Sequence, residues 1–317
     1  MCALKLASET DWLEVPIFIH GVSPEEKPRS HKDEYGALLK AINYGLKEHG
    51  KPALKNPIYI EWGRKYPGST GMDQYLALVE RKLNTRVKES MGPGNYASIP
   101  IVYKATRELL FFAVSDLMYY VSSDGEKALR RHIFRKLAAS IMELANQGVN
   151  RISLNFFTHS AGTLIAHDFL YHLFGKKYAR GEMAGNEVKY IMKYARKKSL
   201  IDTSATLLRI RRFYTFGSPI ALLSIRNNSL INKLRTRKIQ LLDTENIGLR
   251  AADGLENPRW VNFWDKDDLI AAPVAFLYKN TTNVIEDITV NAGALLPKAH
   301  TDYWYSLEMA NYIADTF

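Results

Sequence analysis

Cysteine is almost absent from this chain, since Cys2 is the only one among 317 residues. A single cysteine excludes a disulfide within the chain and a metal site built from several cysteines. Disulfides are common in oxidising compartments and rare in reducing ones. The sequence therefore fits a reducing compartment, and we expect the protein to be cytoplasmic.

Long apolar runs are also lacking. No stretch reaches the length of about 18 apolar residues that marks a membrane-spanning helix. The first fifteen residues, MCALKLASETDWLEV, contain no continuous apolar segment of the kind found in a secretion signal. We therefore expect neither a spanning helix nor a signal peptide.

Three motifs of nucleotide and metal chemistry are missing, namely G-x-x-x-x-G-K-[ST], G-x-G-x-x-G and H-E-x-x-H. The first two bind phosphate groups through glycine-rich turns, and the third binds zinc through two histidines on one helix face. The sequence thus predicts no metal and no organic cofactor.

Positive charge is in excess, with 43 Lys and Arg against 33 Asp and Glu, a net charge of +10. Residues 176–212 hold eleven of the basic residues and three acidic ones, a surplus of 11 − 3 = 8. Such a block is typical of a solvated helix or of a surface that meets anionic lipid, nucleic acid or acidic protein. We expect peripheral contact with an anionic membrane here. No nucleic-acid recognition motif accompanies the block, so no nucleic-acid partner is expected, and the sequence carries no signal for an oligomeric state.

Short apolar runs alternate with segments of helical periodicity along the chain. Strands are expected at 15–20, 57–62, 152–157, 213–216, 260–264 and 284–290, and helices at 34–49, 73–89, 103–121, 126–146, 161–174, 186–198 and 302–315. The alternation predicts an α/β fold, with a mostly parallel sheet of about six strands covered by helices on both faces. We expect a single domain over 1–317, with helical cap insertions near 64–125 and 176–212. Segment 103–121 is apolar all round, which fits a buried helix or a helix on a membrane surface.

The most informative segment is FFTHSAGTLI, at 156–165. An apolar strand ends, Ser160 follows in a turn of small residues, and a helix begins at once. This is the setting of a nucleophile elbow, usually written G-x-S-x-G. Here Thr158 replaces the first glycine, and Gly162 is the second. The alternative is a serine that only caps a core helix.

A catalytic serine needs a base to take its proton, and in elbow enzymes an acid and then a histidine follow it along the chain. His167 and His172 lie on the helix directly after Ser160, too close in sequence to follow an acid strand. His300 is the one histidine that follows all the later strands. We expect His300, in a loop between the last strand and the last helix, to be the base.

Three aspartates follow the strand at 260–264, and they are the candidates for the acid. The acid orients the imidazole ring and stabilises its protonated form. Asp268 is our first choice because it leads into LIAAP, where the chain turns away, with Asp265 second and Asp267 third.

Two backbone N–H groups are expected to complete the site. Ala161 stands at a helix N-terminus, where free N–H groups favour a developing oxyanion. The loop His20-Gly21-Val22 follows the first strand, and a glycine there lets the backbone approach a substrate. We expect Ala161 and Val22 to bind the oxyanion and His20 to hold the loop.

These segments resemble the α/β-hydrolase superfamily, and within it the lipase-like and esterase-like bacterial serine hydrolases. The resemblance covers roughly 15–317 and rests on PIFIHGV, FFTHSAGTLIAHDFL, FYTFGSPIAL, NFWDKDDLIAAPV and AHTDYW. It implies an α/β-hydrolase fold and acyl transfer to water through an acyl-serine. By this resemblance Ser160 is the nucleophile, His300 the base and Asp268 the orienting acid.

The expected substrate is a carboxylic ester, with lipid or acyl esters ahead of small soluble ones. A cap formed by the two insertions would offer apolar side chains to an acyl chain, among them Leu109, Phe111, Phe112, Met118 and Tyr119. Thioesters and amides need the same catalytic groups and are alternatives. A non-catalytic binding module on a hydrolase scaffold is the alternative from another class, because fold does not imply function.

Overall fold

The structure is a computed structural model. It describes residues 12–21, 31–62, 129–149, 151–174, 207–223, 242–249, 256–279, 284–293 and 298–317, together with the helical positions 78, 81, 82, 85, 86, 89, 117 and 120.

The described residues form eight strands: β1 (Leu13–Ile19), β2 (Ile58–Ile60), β3 (Arg151–His159), β4 (Leu207–Phe216), β5 (Leu242–Asp243), β6 (Arg259–Trp264), β7 (Tyr278–Lys279) and β8 (Ile285–Thr289). Six of them make one sheet in the order β2-β1-β3-β4-β6-β8, with every neighbouring pair parallel. The pair β5 and β7 makes a small separate parallel sheet that the sequence did not predict. The expected α/β fold with a parallel sheet of about six strands is confirmed.

Helices cover both faces of the large sheet. The α-helices of the described residues are α1 (His31–Glu48), α2 (Arg131–Asn146), α3 (Ala161–Phe174), α4 (Ile220–Leu223), α5 (Lys298–Thr301) and α6 (Leu307–Thr316). Short 3-10 helices lie at Thr244–Ile247, Ala275–Leu277 and Asp302–Tyr305. Apolar side chains of α2 and α3 join the core on one face, and those of α1 and α6 join the core on the other.

Most side chains on both faces of β1 and β3 are buried, as is usual for a parallel sheet with helices on each side. Successive side chains of a strand point to opposite faces. In β1, Ile17 and Ile19 therefore pack on the α2–α3 side, while Phe18 packs on the α1–α6 side. Phe18 stacks there on Phe157 of β3, with 4.9 Å between the ring centroids.

Strand β4 is longer than expected, since it begins at Leu207 rather than at residue 213. Residues 207–212 were assigned to the basic helical insertion, and that assignment was wrong. They form a strand because Leu207 and Ile210 are buried and the segment pairs with β3. The three arginines of this segment form ion pairs with Glu14 and Glu256, so their charge is compensated within the fold.

The rest of the two expected insertions lies outside the described residues, apart from the helical positions within 78–120. One of those positions, Tyr120, is buried, and its hydroxyl donates to the Asp168 carboxylate across 3.2 Å. None of the helices in the described ranges combines the length and hydrophobicity that a membrane crossing needs.

The end of the chain also differs from expectation. A single helix was expected from 302 to 315, but residues Asp302–Tyr305 form a 3-10 turn and α6 begins only at Leu307. Ser306 separates the two because its side chain accepts the N–H of Met309 and caps α6.

The sheet order fixes where a ligand site belongs. From β1 the chain moves outward to β2 and then returns to β3 on the other side of β1. In open parallel sheets, ligands bind at the carboxyl ends of the strands where the strand order reverses. That position lies between the ends of β1 and β3, where Gly21 and Ser160 follow the strands.

Candidate active site

Ser160 occupies a sharp turn between β3 and α3. Its φ of 51° lies in the left-handed region, which is uncommon for a residue with a side chain. Two hydrogen bonds hold the turn: the Ser160 N–H donates to the Phe216 carbonyl over 3.0 Å, and the Thr163 N–H donates to the Ser160 carbonyl over 3.0 Å. Strained backbone of this kind at a strand–helix junction is the geometry of a nucleophile elbow.

The small residue two positions after the serine is required by close packing. A Cβ atom on Gly162 would lie 2.5 Å from the carbonyl oxygens of Ile19 and His20, so α3 approaches the end of β1 too closely for any side chain there. Thr158, which replaces the first glycine of the usual pattern, is buried, and its hydroxyl donates to the Tyr214 carbonyl over 3.1 Å. The threonine is thus accommodated by a hydrogen bond to the neighbouring strand.

Three expected side chains form one hydrogen-bonded chain. The Oγ of Ser160 lies 2.9 Å from Nε2 of His300, and Nδ1 of His300 lies 2.9 Å from Oδ2 of Asp268. All three residues are buried. An ionised carboxylate only accepts, so Nδ1 carries the ring proton and the unprotonated Nε2 faces the serine hydroxyl. This is the tautomer that a general base requires.

We expected His300 to lie in a loop, but it lies in the short helix α5. The following 3-10 turn continues directly from α5 and brings Tyr303 onto the same side as His300. Tyr303 then reaches Asp268 with its hydroxyl, over 3.1 Å.

The Asp268 carboxylate accepts four hydrogen bonds. Oδ2 accepts from His300 and Tyr303, and Oδ1 accepts from the backbone N–H groups of Ile270, at 3.0 Å, and Ala271, at 3.3 Å. Burial alone would raise the pKa of the Asp268 carboxyl, but the hydrogen bond and charge of His300 outweigh it, so this pKa lies below its usual value. Asp268 is therefore ionised at neutral pH.

The other two aspartates of the loop have different contacts. Asp265 accepts the N–H groups of Ala292, at 2.6 Å, and Gly293, at 3.3 Å, which ties the loop after β6 to the segment after β8. Asp267 pairs with Lys266 over 2.7 Å at the surface. Of the three candidates, Asp268 is the one hydrogen-bonded to His300.

Of the two expected oxyanion donors, Ala161 follows Ser160 directly in sequence. Ala161 is the first residue of α3, and the first N–H groups of a helix have no partner within it. A Cβ on Gly21 would lie 2.9 Å from the Ser160 Oγ, so the backbone of this loop lies directly against the Ser160 side chain. Val22 itself lies outside the described residues.

His20 holds the start of this loop through both ring nitrogens. Its Nε2 accepts the Trp62 N–H over 3.0 Å, so Nδ1 carries the proton and donates to the Gly21 carbonyl. Its backbone N–H donates to the Tyr35 hydroxyl over 2.7 Å. Burial holds the pKa of the His20 ring well below its usual value, which keeps the ring neutral and this pattern intact.

His159 and Tyr303 were not singled out from the sequence. Nε2 of His159 donates to the backbone carbonyl of His300 over 2.6 Å, which links the turn at Ser160 to the main chain of His300. Burial, reinforced by the nearby His300, lowers the pKa of His159 to about 3, so its ring is neutral. The signals available were adjacency to Ser160 for His159 and a spacing of three residues from His300 for Tyr303.

The described residues contain no group of three or more His, Cys, Asp or Glu side chains arranged to hold a metal ion. Comparison with known proteins adds no assignment, because neither a protein-family model nor a curated protein matches this sequence.

Proposed function

We propose that this protein is a serine hydrolase of the α/β-hydrolase superfamily that cleaves a carboxylic ester through an acyl-serine intermediate. The observation that carries the proposal is the unbroken chain from Ser160 through His300 to Asp268, with 2.9 Å at each step, set on an elbow with positive φ. A serine that merely caps a helix would have no need of a buried imidazole and carboxylate behind it.

The proposed reaction starts when Ser160 Oγ attacks the carbonyl carbon of the ester while Nε2 of His300 takes the hydroxyl proton. The carbonyl electron pair moves to its oxygen, which the N–H groups of Ala161 and Val22 bind. Collapse of this intermediate breaks the bond to the alcohol, which leaves with the proton from His300. Water then attacks the acyl-serine by the same steps and releases the acid. Asp268 stabilises the protonated ring in both halves.

An apolar acyl group is favoured by two exposed leucines in segments that follow strands of the large sheet. Leu269 follows the acid directly and is 69% exposed, and Leu222, in α4 just after β4, is 52% exposed. Both segments follow carboxyl ends of strands, the same edge of the sheet as Ser160. We therefore propose lipid or acyl esters ahead of small soluble ones, with thioesters and amides as alternatives for the same groups. Cytoplasmic location stays a prediction. Contact of the basic 176–212 segment with anionic membrane stays a prediction for residues 176–206 alone, since 207–212 belong to β4 and their arginines are paired within the fold.

The test is a fluorophosphonate probe, with the adduct located by mass spectrometry. We expect the purified protein to be labelled at Ser160, and Ser160→Ala and His300→Ala to lose the label. Ser140→Ala, which changes a half-buried serine of α2, is the matched control and should be labelled like the wild type. A folded wild-type protein without a label at Ser160 would favour the non-catalytic binding module instead.

The substrate class is tested next with p-nitrophenyl esters of increasing acyl length. Rising kcat/KM from the acetate to the octanoate would support an acyl-chain site. A maximum at the acetate would point to a small soluble ester.

A further inference from the structure

The Tyr303 hydroxyl lies between two residues of the loop that follows β6. The backbone N–H of Asp265 donates to it over 2.9 Å, and it lies 3.1 Å from Oδ2 of Asp268. An N–H group can only donate, so the phenol oxygen accepts from Asp265. Its single proton must therefore go to Asp268, on the same carboxylate oxygen that His300 uses.

The ring of Tyr303 has little freedom to leave this position. It is buried and packs against His159 and Phe216, with centroid distances of 5.8 and 6.0 Å. A Cβ on Gly217 would lie 3.1 Å from the ring, so the backbone after β4 closes over it. Burial and the charge of Asp268 raise the pKa of the Tyr303 phenol, so it keeps its proton at neutral pH.

We propose that Tyr303 is a positioning residue that fixes the Asp268 carboxylate against His300 and takes up part of its negative charge. This inference rests on the proposed function, since it assigns a role within the same site. Tyr303 acts through Asp268, and it is not expected to contact the substrate.

Loss of the Tyr303 hydroxyl should change the pH dependence of ester hydrolysis. The Tyr303 hydroxyl, by donating to Oδ2, reduces the negative charge that Asp268 presents to His300. The carboxylate then stabilises the protonated His300 ring less strongly. Without the hydroxyl, the full carboxylate charge faces the ring, which holds its proton to higher pH. The acid side of the kcat/KM profile, where His300 must be neutral, should therefore move to higher pH.

Other titratable groups near Asp268 and His300 are not expected to produce this shift of the acid midpoint. The other titratable side chains around the pair are Asp265 of the same loop, His159 of β3 and, farther away, His31 of α1. His159 is neutral above its pKa of about 3. None of these side chains loses a hydrogen bond when the phenol oxygen is removed.

The experiment compares Tyr303→Phe with Tyr305→Phe, the same change at a half-exposed tyrosine two residues away. Hydrolysis of a short p-nitrophenyl ester is measured from pH 5 to 9, with thermal unfolding as a check on the fold. For Tyr303→Phe we expect kcat/KM to fall about fivefold to tenfold, because the Asp268 carboxylate is no longer fixed against His300, and its acid midpoint to rise by about half a pH unit. Tyr305→Phe should change neither.

Two further measurements separate a local role from a loss of packing. In an Asp268→Asn background, Tyr303→Phe should have almost no additional effect, because its route to His300 is gone. Replacement of Tyr303 by 3-fluorotyrosine keeps the ring and strengthens the donor, so the acid midpoint should fall. The 3-fluorotyrosine variant tests the effect of the phenol donor on the acid midpoint even where Tyr303→Phe is unstable.

An unchanged pH profile in folded Tyr303→Phe, or an acid midpoint that 3-fluorotyrosine leaves in place, would overturn the inference while the proposed function stands. A wild-type protein that neither hydrolyses the ester nor reacts with the probe at Ser160 would overturn the proposed function and this inference with it.

Discussion

Replacing Asp268 by asparagine should remove most of the activity and leave the fold in place. The side chain keeps its size, and its amide oxygen still accepts the N–H groups of Ile270 and Ala271. The amide group then facing His300 Nδ1 has no charge and favours the wrong ring tautomer. The variant therefore tests the carboxylate's charge separately from its shape.

The magnitude follows from the geometry. The carboxylate and the ring that becomes positive are both buried and 2.9 Å apart. Opposite charges about 4 Å apart attract by about 4 kcal/mol at an effective dielectric constant of about 20. At about 1.4 kcal/mol per factor of ten, this corresponds to a loss of about 10³ in kcat.

The assay is hydrolysis of a short p-nitrophenyl ester at pH 8 by wild type, Asp268→Asn and Asp267→Asn. Asp267→Asn makes the same chemical change at a partly exposed carboxylate that pairs with Lys266, and its kcat should stay within about twofold of the wild type. A folded Asp268→Asn variant with kcat within tenfold of the wild type would refute the reasoning, because the carboxylate would then not support the base.

The elbow and its surroundings give three more predictions. Gly162→Ala, a change that would stabilise an ordinary helix by about 1 kcal/mol, should instead destabilise the fold by about 1–3 kcal/mol, because the new Cβ meets two carbonyl oxygens at 2.5 Å; a melting temperature above that of the wild type would contradict this. His159→Gln keeps an N–H donor where Nε2 stands and should retain most activity, whereas His159→Leu removes the bond to the His300 carbonyl and should lower kcat about tenfold; equal kcat values for the two variants would speak against a role for that bond. Stability should fall on acidification below about pH 6.5, since His159 takes up a proton there in the unfolded chain but only near its pKa of about 3 in the folded one. The expected slope from this group is about 1.4 kcal/mol per pH unit, and urea unfolding at pH 6.5 and 4.5 should show a smaller loss for His159→Gln than for the wild type.

The strands were predictable because their sequence signals are local and strong. The run Val15–Ile19 is apolar on both faces, and the run Ile152–Phe157 is apolar on one face, with Ser153 and Asn155 buried on the other. Short runs of this kind between helical segments indicate the inner strands of a parallel sheet. The strand at 207–212 was not predicted because three arginines obscure its alternation of apolar and polar residues. The Glu14 and Glu256 carboxylates that compensate these arginines lie far away in sequence.

The site was partly predictable for a similar reason. Ser160 has a local signature, and His300 follows from chain order, but the choice among three neighbouring aspartates depends on where the loop after β6 turns. That turn is set by long-range contacts, such as the N–H groups of Ala292 and Gly293 on Asp265. The contacts of His159 and Tyr303 could not be predicted from the sequence. His159 bonds to His300 and Tyr303 bonds to Asp268, and only the folded chain brings these residues together.

The central claim is that Ser160 forms a covalent acyl intermediate, and the most direct measurement is the intact mass of the protein during turnover. The purified chain is mixed with excess p-nitrophenyl ester, quenched in acid within milliseconds to seconds, and analysed by mass spectrometry with peptide mapping. We predict that the mass of one acyl group appears on the peptide that contains Ser160 and is absent from Ser160→Ala. Ester hydrolysis that proceeds equally in Ser160→Ala, or acylation at another residue, would contradict the account.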